Sequence, residues 1–274
     1  PKGIRINAVA PGLTRGEYAE EGVNPDDPAT LQWIRSVIYT VLLFLVTGFF
    51  GVIVLVSALL PLTIEQRYVI PRTWGLLLTG LARTICGLGY TIEGEENLPS
   101  RPFVSLWKHS SAWETMAQMF VVPPASWSLK REVIWIPIVG WAVATYKPIA
   151  INRSAGHSAV NQVVSQGRDR LKSGMGVIVY PEGTRVAPGQ TRRYGISGAL
   201  LATQTGAPVV PIAHNSGYFW RRRSIMKRAG TIRVVIGRPI DPTGMDPREL
   251  NAQVQQWIES TIAEMVAQSG DGPD

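Results

Sequence analysis

The stretch FVSLWKHSSAWE, residues 103–114, decides how this chain is read. Phe103–Leu106 is a short run that suits a buried strand. Lys108-His109-Ser110 then turns polar, and Ser111-Ala112-Trp113-Glu114 has the spacing of a capping box, where a helix begins. A strand, a short polar turn and a helix in so brief a span is the repeating unit of an α/β domain. Downstream the pattern recurs. Strands are expected at Trp127–Leu129, Pro148–Ile151, Val177–Tyr180, Val209–Ala213 and Ile232–Ile236. Ser158 to Lys172 reads as a helix closed by Gly174 in the manner of a C-cap. In the last helix Asp246 caps, Pro247 takes the first position and Glu249 completes a capping box. Leu250, Val254, Trp257 and Ile258 then share one apolar face. The prediction is an α/β domain over residues 90–268, a mostly parallel sheet flanked by helices, with residues 269–274 as a tail.

Upstream the character differs. From Ser36 to Ile64 (SVIYTVLLFLVTGFFGVIVLVSALLPLTI) there is no charged residue. A spanning helix needs about 20 apolar residues, so the run predicts an N-terminal membrane helix ahead of the domain. A signal peptide would carry an apolar region of only about 7–15 residues. Arg67, Arg72 and Arg83 follow the run, whereas Arg35 precedes it behind an acidic stretch. The positive-inside rule then expects the inner (cytoplasmic) membrane, with the catalytic domain facing the cytoplasm. Trp74 to Leu88, interrupted by Arg83 and glycines, reads as a helix lying in the interface. Residues 34–89 are thus expected to anchor the protein. Residues 1–33 are expected to be a poorly ordered extension or a fused scrap. Within it GIRINAVAPGLT (residues 3–14) resembles a segment of short-chain dehydrogenases, but the chain has neither the T-G-x-x-x-G-x-G turn nor the Tyr-x-x-x-Lys pair of that chemistry. A start at Pro1 rather than Met suggests a truncated or mis-started reading frame.

Charged residues make up 17% of the chain against about 25% in an average soluble protein, which fits partial contact with lipid. The net charge of +7 suits nucleic acid, anionic lipid or an acidic carrier protein, and charge alone does not separate them. A long spanning segment serves no nucleic-acid role, so no nucleic-acid partner is expected. With Cys86 as the one cysteine, an intrachain disulfide and a cysteine-based zinc site are excluded.

His109 follows a strand, and a histidine oriented by a carboxylate is the usual general base. On one continuous helix, side chains five residues apart diverge by about 140°. His109 and Glu114 therefore meet only if His109 lies in the turn and the helix starts near Ser111. The same start lets Glu114 serve merely as the capping partner of Ser111, and both readings stand at this point. A second cluster, Tyr180-Pro181-Glu182-Gly183-Thr184-Arg185, follows another strand. Gly183 permits a sharp turn and Arg185 suits bidentate phosphate binding. A third, Lys147 to Arg153, again ends a strand in cationic residues. Ligands gather at the carboxyl ends of strands in open α/β sheets, so His109, Arg153 and Arg185 form one coherent candidate site.

These blocks resemble the motifs of the glycerolipid acyltransferase family. Histidine, four residues and an acid match His109 to Glu114, although the family usually has Asp where this chain has Glu. The second motif resembles Lys147 to Arg153, the third matches Pro181 to Arg185, and the V-P-I strand of the fourth resembles Val210-Pro211-Ile212. The resemblance runs from about Gly94 to the last helix. It implies an acyltransferase that moves a fatty acyl group from an acyl carrier protein or coenzyme A thioester to the free hydroxyl of lysophosphatidic acid, giving phosphatidic acid. Another lysolipid, such as a lyso-aminolipid, is an alternative acceptor, and a non-catalytic lipid-binding protein is the rival class. The resemblance further implies direct transfer with no cofactor and no metal. His109 would act as base and Glu114 would orient it. Lys130, Arg153 and Arg185 would hold the phosphate, and Glu182, Gly183 and Thr184 would shape the substrate pocket. The basic run Trp220-Arg221-Arg222-Arg223, with Lys227 and Arg228, suits a solvated face, an anionic lipid surface, or a carrier protein or coenzyme A phosphates. His157 and His214 are read as structural. An α/β-hydrolase is excluded because Gly195-Ile196-Ser197-Gly198-Ala199 misses the G-x-S-x-G elbow.

Overall fold

The computed structural model describes residues 27–152 and 156–269. The leading helix, α1 (Pro28–Ser57), starts earlier than the apolar run because Asp27 caps it, accepting from the Thr30 N–H at 2.8 Å, and Pro28 suits its first turn. It ends at Ser57, short of Ile64. A turn at Thr63 then starts α2 (Ile64–Arg67), and Thr63 and Gln66 cap it reciprocally. Helix α3 (Val69–Cys86) closes on Gly87, whose φ of 69° is the left-handed value a helix stop requires.

Seven strands follow, interleaved with helices: β1 (Leu88–Glu93), β2 (Val104–Trp107), α4 (Trp113–Val121), β3 (Ala125–Lys130), α5 (Val139–Ala144), β4 (Ile149–Ile151), α6 (His157–Lys172), β5 (Gly176–Val179), α7 (Ser197–Thr205), β6 (Val209–His214), α8 (Ser216–Phe219), β7 (Gly230–Ile236) and α9 (Pro247–Ser269). They form one sheet in the order β1-β7-β6-β2-β5-β3-β4. Every neighbouring pair is parallel except β6 with β7. Strands β2 to β6 therefore all end at one edge of the sheet. Helix α6 closes as expected of Gly174: the Gly174 N–H reaches the Leu171 carbonyl and the Met175 N–H the Arg170 carbonyl, a Schellman closure.

Alternation within the strands sorts side chains onto two cores. Val104, Leu106, Val177, Val179 and Val209 face α6, α7 and α9, where Leu250, Val254 and Ile258 are fully buried. Trp107, Ile178, Tyr180 and Ile212 face the other way, toward α1, α3 and α4. Helices α1 and α3 thus belong to the same core as the sheet. Gly75 shows how closely α3 approaches α4, since a Cβ there would stand 2.6 Å from the Met116 carbonyl oxygen. Gln32 donates to the Cys86 and Lys227 carbonyls, Trp74 donates to Thr47, and Ile138 touches Gly51, so α1 is held along most of its length. Its remaining face is bare and apolar: Val41, Phe44, Leu45, Phe49, Val52 and Val56 are exposed. Among the described residues α1 is the one helix long and apolar enough to cross a membrane.

The expectation for residues 1–33 falls mainly on residues 1–26, outside the described part. Residues 28–33 are helical, and β1 begins at Leu88, just ahead of the expected boundary.

Candidate active site

Strand β2 ends at Trp107, and α4 does not begin until Trp113, leaving His109 in the turn between them. Because α4 starts so late, Glu114 sits in its first turn and its carboxylate folds back over the loop. His109 Nδ1 lies 2.9 Å from Glu114 Oε1. The same carboxylate accepts the N–H groups of Ser110 and Ser111, with distances of 2.9–3.2 Å. Both contacts that the spacing allowed are present: Glu114 accepts from the helix-leading N–H groups and reaches the imidazole. Burial of Glu114 favours its protonated form. The His109 hydrogen bond and the potentials of His214, His109 and Arg185 outweigh that and hold its carboxyl below the ordinary range. A carboxylate only accepts, so the contact fixes Nδ1 as the donor and, in the neutral ring, leaves the lone pair on Nε2.

The main chain of His109 is tied to the Pro181–Arg185 turn. Its N–H donates to Glu182 Oε2 at 2.8 Å, and its carbonyl accepts from the Val186 N–H at 2.8 Å. Gly183, φ 68°, closes that turn by donating to the Tyr180 carbonyl. Glu182 is buried behind His109, where Lys108 Nζ stands 3.0 Å from it and 2.7 Å from Glu259. Burial pushes the Glu182 carboxyl up to about 7 against the pull of Lys108 and the His109 N–H, and Glu259 adds to the rise. Its place is under the histidine.

On the other side of the ring is a cavity of about 560 Å³ lined by His109, Lys130, Thr184 and Arg185 together. Lys130 is half exposed there and lies 3.6 Å from Glu132. Glu182 and Gly183 are not in the lining, and Arg153 lies outside the described residues. The far wall is apolar and comes from the leading helices, with Phe50 and Val54 of α1 and Trp74 of α3, and from Val143 of α5. A second, polar cavity of about 640 Å³ adjoins it and shares Thr184, Arg185 and Arg222. Arg185 Nε is buried at this junction with no hydrogen-bond partner among the described residues. Among the described residues no three His, Cys, Asp or Glu side chains cluster to hold a metal.

Several contributors lacked a local sequence signal. The Tyr180 ring lies 4.3 Å from the His109 ring, and its hydroxyl donates to Gln118 at 2.8 Å. His214, at the end of β6, approaches Lys108 through Nε2 and Ser216 through Nδ1, both at 2.9 Å, and Ser216 reaches Glu114 Oε2 at 3.3 Å. Burial holds His214 below its usual value despite the pull of Glu114, and through Ser216 it props the carboxylate from behind. The basic run, for which three roles were open, brings Arg222 and Arg223 to the first cavity. Only the parallel alignment of β2, β5 and β6 could have signalled these neighbours.

A family model described as Acyltransferase matches residues 89–215. The chain is 39% identical over 241 residues to the 1-acyl-sn-glycerol-3-phosphate acyltransferase of Pseudomonas aeruginosa, covering 86% of this chain and 93% of that one. It is 27% identical over 173 residues to the enzyme of the same name from Cocos nucifera, covering 62% of this chain and 56% of that one. The crystal structure of the 1-acyl-sn-glycerophosphate acyltransferase PlsC from Thermotoga maritima superposes with a TM-score of 0.72. At 23% identity it covers 86% of this chain and 98% of that chain, and shares its fold.

Proposed function

This chain belongs to the acyltransferase family, and from that premise we propose that it transfers a fatty acyl group from an acyl carrier protein or coenzyme A thioester to the free hydroxyl of lysophosphatidic acid, giving phosphatidic acid. The observation that carries the reading is the 2.9 Å contact between His109 Nδ1 and Glu114, set where one cavity joins an apolar wall to a cationic rim. Nε2 removes the proton of the glycerol hydroxyl, and the oxygen attacks the thioester carbonyl. The carbon–sulfur bond then breaks, and the thiolate takes the proton back from the imidazolium. Atoms balance without a cofactor or a metal. General-base assistance of this kind contributes about 10²–10⁴-fold. Holding both substrates in register supplies much of the remainder. Arg185, with Lys130 and Arg223 at the rim, neutralises the acceptor phosphate, while the acyl chain lies along Phe50, Val54 and Trp74. Glu182 serves by holding the His109 main chain.

The bare face of α1, with Trp135, Ile136 and Trp141 beside the cavity helices, seats the protein in a membrane. Since α1 is also fastened to the domain along its length, the domain lies against the lipid. Arg67, counted toward orientation, is buried against Thr145 and Tyr146 and offers no free charge to headgroups. A cytoplasmic face of the inner membrane fits the thioester donors.

The test is acyl transfer by full-length protein in detergent, with acyl carrier protein and coenzyme A donors and a panel of lysolipids. Lysophosphatidic acid should be the preferred acceptor. His109→Ala should lower kcat about 10²–10⁴-fold while vesicle binding persists. Unchanged turnover in that variant would sink the mechanism.

A further inference from the structure

Two anionic substrates meet in this reaction, yet the cavity that holds His109 accounts for one phosphate. In the acceptor the phosphate hangs on the glycerol carbon next to the reacting one. It must therefore bind among cations that share a cavity with His109, as Arg185 does. In either donor the first phosphate lies at the far end of a pantetheine arm, well removed from the thioester. Arg192 and Arg221 line only the second cavity, the polar one of about 640 Å³, beside Arg185 and Arg222. No carboxylate borders that cavity, and none of these four guanidinium groups takes part in an ion pair among the described residues. Arg192, Arg221 and Arg222 are exposed to solvent, so an entering phosphate would meet guanidinium charges with no carboxylate competing for them. The Arg222 side chain donates to the Arg185 carbonyl at 3.2 Å, so the mouth between the two cavities has defined walls.

We propose that the cavity bounded by Arg192, Arg221 and Arg222 binds the phosphate of the donor's phosphopantetheine arm, which enters the reaction chamber past Thr184 and Arg185. The assignment rests on the transferase reading above and adds the donor's place to it. Acyl carrier protein and coenzyme A share this phosphate, so one site serves either source.

The test compares acyl-phosphopantetheine with acyl-pantetheine, which lacks the phosphate, using full-length protein in detergent with lysophosphatidic acid. Wild type should favour the phosphorylated donor by about tenfold in kcat/KM. In Arg192→Gln/Arg221→Gln that preference should shrink to about twofold, and Arg192→Lys/Arg221→Lys should restore part of it. The KM for acyl carrier protein and coenzyme A thioesters should rise together, by a similar factor. Persistence of the phosphate preference in the Gln variant would overturn the assignment, as would a rise in the KM for lysophosphatidic acid instead. A penalty confined to coenzyme A, marking a nucleotide site, or to the carrier protein, marking a protein-docking face, would overturn it too. Absence of transfer by wild type with every donor would be a different failure, that of the transferase reading itself.

Discussion

Replacing Glu114 by Gln keeps the length of the side chain and one acceptor for the Ser111 N–H, but removes the charge that steadies an imidazolium. Replacing it by Ala also strands the buried Ser110 and Ser111 N–H groups. Glu114→Gln should therefore lower kcat by about 10²-fold or more with a small change in thermal midpoint. Glu114→Ala should in addition cost about 2–4 kcal/mol of stability, read from denaturant unfolding. Unchanged kcat in Glu114→Gln would show that the carboxylate is only a cap. Glu182 gives a separate signature. Its folded-state value, raised to about 7, lies above the ordinary glutamate range, so the group contributes most at low pH and its contribution fades as pH rises through 7. Thermal midpoints followed from pH 5 to 8 should fall more steeply for wild type than for Glu182→Gln, and parallel curves would refute the raised value. At this scale the juxtaposition of His109 with Glu114 and Arg185 was legible, because the blocks that carry them follow strands that end at one edge of the sheet. Tyr180, His214 and Ser216 gave no local sign, since they reach the site across neighbouring strands.

Helix α1 shows what an apolar run does and does not say. Its length and lack of charge were plain from composition, but nothing in a stretch without charges distinguishes the side that meets lipid from the side that meets protein. Packing marks the difference: Tyr39 and Val54 are buried while Phe44 and Phe49 are exposed. Placing Glu at both Phe44 and Phe49 should weaken binding to phospholipid vesicles by about tenfold or more, because each burial is worth about 1.5–3 kcal/mol. Co-sedimentation measures this, and unaltered binding would remove α1 from the membrane-facing surface. Strand β1 escaped prediction for a related reason. LGYTIE adjoins an apolar helix without a polar break, and only Gly87, at φ 69°, marks the change. Strands β2, β5 and β6 were legible because buried parallel strands are continuous apolar runs.

Across the whole molecule the sheet sets one boundary and the leading helices another, and the reaction chamber lies between them. Alternation along β5 sends Tyr180 toward the side occupied by α1, α3 and α4, where the His109 cavity lies, while α9 covers the opposite face. The strand order was not legible. The reversal of β7 and β1 depends on pairing between distant segments, which no window of sequence contains.

Helix α1 supplies both the bare outer face and, through Phe50 and Val54, part of the chamber wall. On the membrane seating proposed above, a lysolipid reaches His109 by lateral diffusion, its hydrocarbon tail never crossing water. Turnover should follow the mole fraction of acceptor in the bilayer rather than its bulk molarity. Diluting lysophosphatidic acid twofold with inert phospholipid, at constant total acceptor and below saturation, should roughly halve the rate.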